Sequence, residues 1–458
     1  MVRKTQQQTG ERRAKQFKKW TSRVTADEVL MPPLYLGKEE RRLYIRATLK
    51  EDHTQRIQNK PEATEAKFKK LRKSFFQFFR GTALLYYRDY AGIDHNLPVV
   101  FTIGDVHPGN FGVMPNSDNV PFFSVNDFDE AYFAPFSWDI RRGATGFWLS
   151  ARENGHSKKK CRKIVRAFVT GYMNGLREFS RDDREKFFQY RIDNSPKRIK
   201  KLLENSLESR AEFLKEKISL KKRRFKVGDE IVPYTQHIKK FQKIVDTYVE
   251  ENEISIPRGD EEYFRVEDVA VKKGSGTASL GLDRFWVLIR GESATGDDCR
   301  ILEMKQARTS ALSGLVPKTD YDDMNNRKSA RQIVKAHRVH LAGGDIFYGY
   351  AQRQGKMYLV RERSPYKDDI DLDELSGKTF KKYARICGKA LSQTHARSDE
   401  DAGLSVENAE ESILGSIICD VFVDDMVRFA GSSAQRVIDD HALFVKDFDL
   451  GVFQLVGS

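Results

Sequence analysis

Two polar motifs bracket a predicted β-hairpin, and this arrangement constrains the fold more than any other feature of the sequence. The apolar runs FGVM (111–114) and VPFFSV (120–125) have the length of strands and are separated by the turn sequence PNSDN. GDVHPGN (104–110) precedes the first run, and NDFDE (126–130) follows the second. Because a hairpin brings its two ends together, we expect the polar side chains of both motifs to lie side by side.

The two motifs contain the residue types that phosphoryl transfer requires. Asp105 precedes Asn110 by five positions, and Asp127 begins the sequence DFD. An aspartate can orient a hydroxyl group and accept its proton, and the oxygens of Asn110 and Asp127 suit a magnesium ion that bridges ATP phosphates. Aspartate and asparagine in a single turn more often bond their own backbone. Two such motifs joined by one short hairpin favour the catalytic interpretation.

The composition predicts a globular protein with an excess of positive charge. With 458 residues, of which 39% are hydrophobic, the chain is long enough for two or three structural units. It has 80 Lys and Arg against 66 Asp and Glu, a net charge of +14. This excess indicates either a lysine-rich soluble surface or an anionic partner.

The sequence carries no signal for a structural zinc site, for secretion or for a membrane span. The four cysteines are far apart and form no CxxC pair, which favours a reduced, cytoplasmic location. The basic N-terminus lacks the apolar segment of a secretory signal. No apolar run approaches the roughly 18 residues of a transmembrane helix, so we expect no membrane partner.

Helical and strand-like segments follow one another in a way that predicts an α/β (α+β) fold. We predict helices near 62–90, 160–179, 190–226, 328–342, 376–396, 411–430 and 434–446. The predicted strands are VVFTI, the two hairpin runs, FRVEDVAV, DRFWVLIRG, CRILEMKQA and KMYLVRER. We divide the chain into a basic arm and helix (1–60), a catalytic half (61–255), a β-rich nucleotide-binding half (256–375) and a C-terminal helical segment (376–458).

Two known families share these motifs. GDVHPGNFGV…VNDFDEAYFAPFSWDI is similar to the HGDxHxxN…hDFD…DPxxDL core of aminoglycoside phosphotransferases and their kinase-like relatives, with Ile103 where those enzymes have histidine. Over residues 65–400 the chain more closely resembles the bacterial domain-of-unknown-function family 2252. The resemblance includes an F-x-F-x-RG segment (76–81), the core motifs and the helix end THARS (394–398).

The kinase-like resemblance implies a role for each acidic residue of the two motifs. Asp105 would be the catalytic base, and Asn110 and Asp127 would be ligands of Mg²⁺. Asp129 would be an auxiliary ligand, and Glu130 would be an auxiliary ligand or would support one.

Two further residues would support the catalytic loop, GDVHPGN (104–110). By the same resemblance, Asp139 in SWDI would brace the loop. His107 is expected to order the loop and not to bind metal, because neutral imidazole prefers softer metals than magnesium.

A candidate nucleotide-binding segment follows the catalytic motifs. VKKGSGTASLG, with Gly274, Gly276 and Gly281, lies between two predicted strands, and Lys305 lies in the next strand. Glycines let the backbone approach phosphates closely, and a lysine can place a positive charge beside the α- and β-phosphates. The order of the halves therefore predicts a circularly permuted, kinase-like two-lobe fold with additional helices at both ends.

The same interpretation predicts a hinge and raises a question about Lys305. The hinge would be YLVRERSPYK (358–367), whose backbone would bond the adenine ring. In protein kinases the equivalent lysine pairs with a glutamate of the following helix, yet SARQIVKAHRVHLA (329–342) contains no acid. Either Asp322 or Asp323 replaces that glutamate, or the ion pair is absent.

The sequence therefore predicts an ATP- and Mg²⁺-dependent phosphotransferase that acts on the hydroxyl of a small-molecule acceptor, and the positive charge favours an anionic acceptor. Two alternatives stay open. One is a catalytically degenerate kinase-like module that binds nucleic acid or another anionic partner, which the basic stretch 190–226 supports. The other is a nucleotidyl transferase on the same fold. A metallophosphoesterase is disfavoured because its DxH and GNH blocks would overlap within six residues here.

Overall fold

The computed structural model describes Lys15 and residues 33–255, 262–274, 280–292, 296–316, 329–366, 368–399 and 408–455. Within these ranges the chain forms 14 α-helices and 12 β-strands, which confirms the predicted mixed α/β class. Gly276, Asp322 and Asp323 lie outside the described residues, as does nearly all of the predicted basic arm. Across the described ranges, no helix combines the length and the apolar character needed to cross a bilayer.

The predicted helical segments contain helices but differ in where these break, and the helices at 137–153 and 238–251 were not predicted. They are α1 (Lys38–Asp52), α2 (Thr54–Asn59), α3 (Pro61–Arg72), α4 (Phe75–Gly81), α5 (Ala83–Asp89), α6 (Ser137–Glu153), α7 (Lys158–Phe179), α8 (Lys197–Asn205), α9 (Arg210–Lys217), α10 (Ile238–Glu251), α11 (Ser329–His340), α12 (Gly377–Ala396), α13 (Ala409–Gly415) and α14 (Cys419–Asp449). The segment predicted near 62–90 is three helices. The second of them, α4, begins after Ser74, whose side chain accepts a hydrogen bond from Gln77 N (3.0 Å).

Two other helix predictions were wrong in detail. Residues 190–226 form two short helices and a small hairpin, not one continuous helical stretch. The two helices predicted near 411–430 and 434–446 are largely one helix, α14, which continues through Gly431. A Cβ at Gly431 would lie 3.2 Å from the Trp148 ring, so this glycine allows α14 to pack closely on α6.

Six of the twelve described strands form one large antiparallel sheet. In chain order, all twelve strands are β1 (Val99–Thr102), β2 (Phe111–Pro115), β3 (Pro121–Val125), β4 (Tyr132–Pro135), β5 (Ile218–Ser219), β6 (Arg224–Phe225), β7 (Ile231–Pro233), β8 (Val266–Lys272), β9 (Arg284–Ile289), β10 (Arg300–Gln306), β11 (Gly349–Arg353) and β12 (Lys356–Glu362). The order in the large sheet is β11-β12-β10-β9-β8-β7. Apolar residues of α10 cover one face, and those of α9 and β5–β6 cover the other.

The large sheet begins earlier in the chain than the predicted boundary at residue 256. β7 pairs with β8, and Phe241, Val245 and Tyr248 of α10 are buried against the sheet. Helix α10 was not predicted, and its residues were assigned to the catalytic half, because an apolar stripe on a helix does not show which half it packs against.

The remaining six strands form three small antiparallel pairs, one of which is β5 with β6. β1 pairs with β4, and β2 and β3 form the predicted hairpin, in which Phe111 is opposite Val125. Gly171 and Gly388 let α7 and α12 pack closely, since a Cβ at either position would collide with the backbone of the other helix. Strand β3 of the hairpin packs against α12.

Helices from both ends of the chain share one core. The Phe68 ring of α3 lies 6.4 Å from that of Phe444 in α14 and 4.8 Å from that of Phe453. Arg41 of α1 is buried and bonds Asp89 of α5 (2.6 and 2.7 Å) and Asp440 of α14 (2.6 and 2.9 Å). One guanidinium thus joins three helices that are far apart in sequence.

Arg41→Met is expected to lower the free energy of unfolding by about 3–5 kcal/mol, because it leaves two buried carboxylates without their cation. Urea denaturation measures this loss. Arg428→Met is the control, since Arg428 pairs with Asp425 on the exposed surface and such pairs contribute about 0–1 kcal/mol. Equal losses in the two variants would contradict the structural role given to Arg41.

Candidate active site

The turn after β1 is held by a buried carboxylate. Gly104 has a φ of +78°, and a Cβ there would collide with the Glu130 carbonyl, so glycine is required. The Asp139 carboxylate, at the start of α6, accepts hydrogen bonds from Ile103 N (2.6 Å) and Gly104 N (2.9 Å). These bonds fix the backbone that immediately precedes Asp105.

A second layer of hydrogen bonds holds Asp139. His395 Nε2 donates to Asp139 Oδ2 (3.1 Å), and the Tyr172 hydroxyl donates to His395 Nδ1 (2.8 Å). The side chains of Asp139 and His395 are completely buried. The THARS segment, which contains His395, therefore supports the turn from behind.

Asp105 is paired with an arginine that the sequence analysis did not identify. Arg142 Nε (2.9 Å) and Nη2 (2.7 Å) both donate to Asp105 Oδ1, and the Arg142 guanidinium lies 3.9 Å from the centre of the Phe79 ring. The other oxygen, Oδ2, lies 3.8 Å from His107 Nε2, beyond hydrogen-bond distance. Arg142 therefore orients the carboxylate and leaves Oδ2 as the oxygen that can accept from a hydroxyl group.

His107 orders the loop. Its Nδ1 accepts from Gly109 N (3.1 Å), and the side chain is buried against α6, where a Cβ at Gly146 would lie 2.9 Å from the His107 Cβ. Burial, and then the charges of Arg80 and Arg142, lower the pKa of His107 well below its usual value. The imidazole is therefore neutral and acts as a backbone cap.

The hairpin brings the two motifs together, as predicted. Asn126 N donates to Asn110 O (3.1 Å), so Asp127 directly follows the residue opposite Asn110. The Asn110 amide nitrogen donates to Asp105 O (2.8 Å), which leaves its amide oxygen as the atom that can bind a cation.

Asp127 and Asp129 lie close together at the end of the hairpin. Asp129 N donates to Asp127 Oδ1 (3.2 Å). Burial, and then the charge of Asp129, raise the pKa of Asp127. Burial alone would also raise the pKa of Asp129, but the adjacent Lys305 ammonium outweighs it and lowers that pKa. Two carboxylates this close favour a cation between them.

Lys305 contacts Asp129, although the two residues are 176 positions apart. Lys305 lies on β10, the central strand between β12 and β9. Lys305 therefore has an acidic partner in the NDFDE motif, while Asp322 and Asp323, the partners predicted for it, lie outside the described residues.

Glu130 has partners in the segment that follows β10. Its carboxylate pairs with Arg308 and accepts from Ala311 N (2.6 Å), while its backbone carbonyl accepts from the Ser310 hydroxyl (2.8 Å). Glu130 therefore anchors the segment that follows β10.

The glycine-rich hairpin consists of β8, β9 and the residues between them, and the structure describes it on both sides of residues 275–279. Gly274 and Gly281 have φ values of +74° and +84°, a backbone region that favours glycine. Arg56 Nη1 donates to Leu280 O (3.3 Å) beside the second of these glycines. The hairpin is thus next to the N-terminal helices, a contact that the sequence analysis did not predict.

A shallow cleft with an enclosed volume of about 50 Å³ lies between the β2–β3 hairpin and the segment that follows β12. Val113 and Met114 line it on the hairpin side, and Ser364 and Tyr366 line it on the other. The predicted hinge, of which all but Lys367 is described, borders this cleft.

The side chains at the hairpin suit a magnesium ion that phosphates help to hold. In the described part of the chain, no group of three or more His, Cys, Asp or Glu side chains forms a ready metal site. Asn110, Asp127 and Asp129 instead offer one amide oxygen and two carboxylates. Mg²⁺ is commonly bound by one or two carboxylates, with phosphates and waters as the other ligands, and this donor set fits that pattern.

Arg142 could have been found from its spacing. It lies three positions after Asp139 in α6, and residues three apart lie on the same helix face. No comparable sequence signal connects Arg308 to Glu130, because that contact joins segments from the two halves.

Asp139→Asn is expected to lower the free energy of unfolding by about 1–3 kcal/mol, because the amide cannot accept every bond that the carboxylate accepts and leaves a buried donor unsatisfied. Urea denaturation tests this. Asp439→Asn, at an exposed position of α14, is the control and is expected to change stability by less than about 0.5 kcal/mol. A stability of Asp139→Asn within that same range would contradict the brace.

Comparison with protein families identifies the family to which the chain belongs. No curated protein and no solved structure matches the chain. Residues 58–447 match a bacterial family described as "Uncharacterized protein conserved in bacteria (DUF2252)". That range includes Asp105, Asp127, Lys305 and His395. The chain therefore belongs to the DUF2252 family.

Proposed function

We propose that this protein is a Mg²⁺- and ATP-dependent phosphotransferase that acts on the hydroxyl group of a small-molecule acceptor, with a kinase-like arrangement in permuted order. The observation that carries the proposal is the contact between Lys305 and Asp129. It joins the candidate nucleotide-binding lysine to the candidate metal motif, which sequence order alone does not bring together.

The strand order of the large sheet supports the kinase-like part of the proposal. β8, β9 and β10 are consecutive neighbours, the glycine-rich hairpin joins the first two, and Lys305 is on the third. Helix α11 follows before β11 and β12. Protein kinases also have a glycine-rich loop, a lysine on their third strand and a helix after it. Here Asp129 is the acid that pairs with the lysine.

The cleft supports ATP as the phosphoryl donor. Apolar side chains of Val113, Met114 and Phe128 and the ring of Tyr366 line it, and such surfaces suit a flat heterocycle. The backbone of 363–366 would bond the adenine edge. The glycine-rich hairpin and Lys305 would then lie toward the phosphates.

Asn110, Asp127 and Asp129 would hold Mg²⁺, which when bound neutralises charge on the phosphates. Lys305 would exchange Asp129 for the α- and β-phosphates. The two half-buried carboxylates exceed the one ammonium by a negative charge, which a bound Mg²⁺ would offset.

Asp105 would orient the acceptor. Arg142 holds Oδ1, so Oδ2 can accept the hydroxyl proton. The hydroxyl oxygen then forms a bond to the γ-phosphorus as the bond from that phosphorus to the β–γ bridging oxygen breaks. The products are a phosphorylated acceptor and ADP, and the proton resides on Asp105 until solvent removes it.

Mg·ATP is expected to raise the melting temperature of the wild type, by an amount equivalent to about 2.7 kcal/mol at a hundredfold excess over Kd. Asp127→Asn should abolish this shift because it removes a metal-binding charge. The ligand-free variant should be at least as stable as the wild type, because the raised pKa of Asp127 indicates that its charge is disfavoured in the fold. If the melting temperature of the wild type does not change over a wide range of Mg·ATP concentrations, the proposal is contradicted.

Asp105→Asn and Lys305→Met separate acceptor chemistry from nucleotide binding. With water as the acceptor, Asp105→Asn should lower ADP release from Mg·ATP by about 10²-fold while keeping the Mg·ATP melting shift. Lys305→Met should weaken the shift itself. Undiminished ADP release in Asp105→Asn would remove the mechanism, and release of AMP with pyrophosphate would identify nucleotidyl transfer instead.

A further inference from the structure

Three basic side chains, two of them buried and one 21% exposed, lie between the described ends of the glycine-rich hairpin and the catalytic loop. They are Arg56 of α2, Lys67 of α3 and Arg308 of the segment after β10. Arg56 is 7% exposed and Lys67 is 2% exposed. We call these three residues the cation cluster.

The cation cluster touches both halves of the candidate active site. The Arg56 side chain lies beside Gly281, with its Cδ 3.5 Å from the position of a Cβ there, and it donates to Leu280 O. Arg308 pairs with Glu130 of the NDFDE motif. The N-terminal helices are held in place here because Lys60 bonds Asp283 (2.5 Å) at the base of the glycine-rich hairpin.

The three charges affect one another. Burial, and then the charges of Arg56 and Arg308, lower the pKa of Lys67 well below its usual value, while Asp52 and Asp105 act in the opposite direction. Burial, and then the charge of Arg308, lower the pKa of Arg56 to about 10, while Asp52 and Asp129 oppose this. The cluster therefore lies within electrostatic reach of both Asp105 and Asp129.

Like charges that are buried together repel one another, and an oxyanion among them would offset this cost. Arginine is suited to such a group because its planar fork donates two parallel hydrogen bonds to a phosphate. The three basic side chains lie beside the residues proposed to handle a phosphoryl group, since Arg308 pairs with Glu130 and the charges of Asp105 and Asp129 act on Lys67 and Arg56.

We propose that Arg56, Lys67 and Arg308 bind a phosphate-type oxyanion between the glycine-rich hairpin and Asp105. The assignment of its source rests on the proposed phosphotransferase function. The oxyanion would be either the γ-phosphate of ATP or an anionic group of the acceptor. Both share the chemistry that the cation cluster recognises.

Thermal melting of the full chain in inorganic phosphate, against chloride at equal ionic strength, tests the site. Phosphate is expected to raise the melting temperature of the wild type. Lys67→Met and Arg56→Gln should weaken phosphate binding at least tenfold. Lys69→Met is the matched control, because it removes one cation from the exposed face of the same helix and should retain the response.

The ligand-free melting curve of each variant establishes that it folds, and Arg308→Gln replaces any variant that does not. No phosphate-dependent shift in the wild type would overturn the proposal. An unchanged shift in Lys67→Met and Arg56→Gln would do the same, since the phosphate would then bind elsewhere.

Repeating the titration with bound nucleotide distinguishes the two sources. If phosphate stabilises the protein with saturating Mg·ADP but not with Mg·ATP, the cation cluster takes the γ-phosphoryl group. If phosphate stabilises it equally with both, the cation cluster takes an anionic group of the acceptor. A wild type that responds to phosphate but to neither nucleotide would keep the oxyanion site and remove the proposed nucleotide function.

Discussion

The buried carboxylate of Asp139 is the interaction on which the candidate active site depends. It accepts from two successive backbone N–H groups of the turn and is held in turn by His395. A buried carboxylate without such partners would be strongly destabilising. The energetic need to satisfy Asp139 therefore also fixes the direction in which the chain leaves β1 and presents Asp105.

Charge balance between the two halves is the second constraint. Lys305 contacts Asp129, and Arg308 contacts Glu130, so neighbouring acids of one motif are each matched to a cation from β10 or the segment after it. Breaking a buried pair costs far more than an exposed pair contributes. The NDFDE motif thus joins the large sheet to the catalytic loop through these two ion pairs, and the proposed nucleotide would bind beside them.

Much of the local structure could be predicted from the sequence. The hairpin, the strands on either side of the glycine-rich segment and the helices α7, α11 and α12 have strong apolar periodicity, and the structure has them close to the predicted bounds. Helices α6 and α10, the breaks within 62–90 and the continuity of α14 were missed. A cap at Ser74 and a close contact at Gly431 decide them, and both outweigh helix propensity only in their tertiary context.

The sequence alone determined which residues stand at the ends of the hairpin, because chain connectivity and strand alternation bring Asn110 beside Asp127. It also determined that a glycine-rich segment and a lysine strand follow them. Only the tertiary structure decided which acid meets Lys305, that Arg142 holds Asp105, and that Arg56, Lys67 and Arg308 converge. These contacts join segments tens to hundreds of residues apart, and their energies depend on burial and on the local dielectric environment, which no local pattern in a sequence specifies.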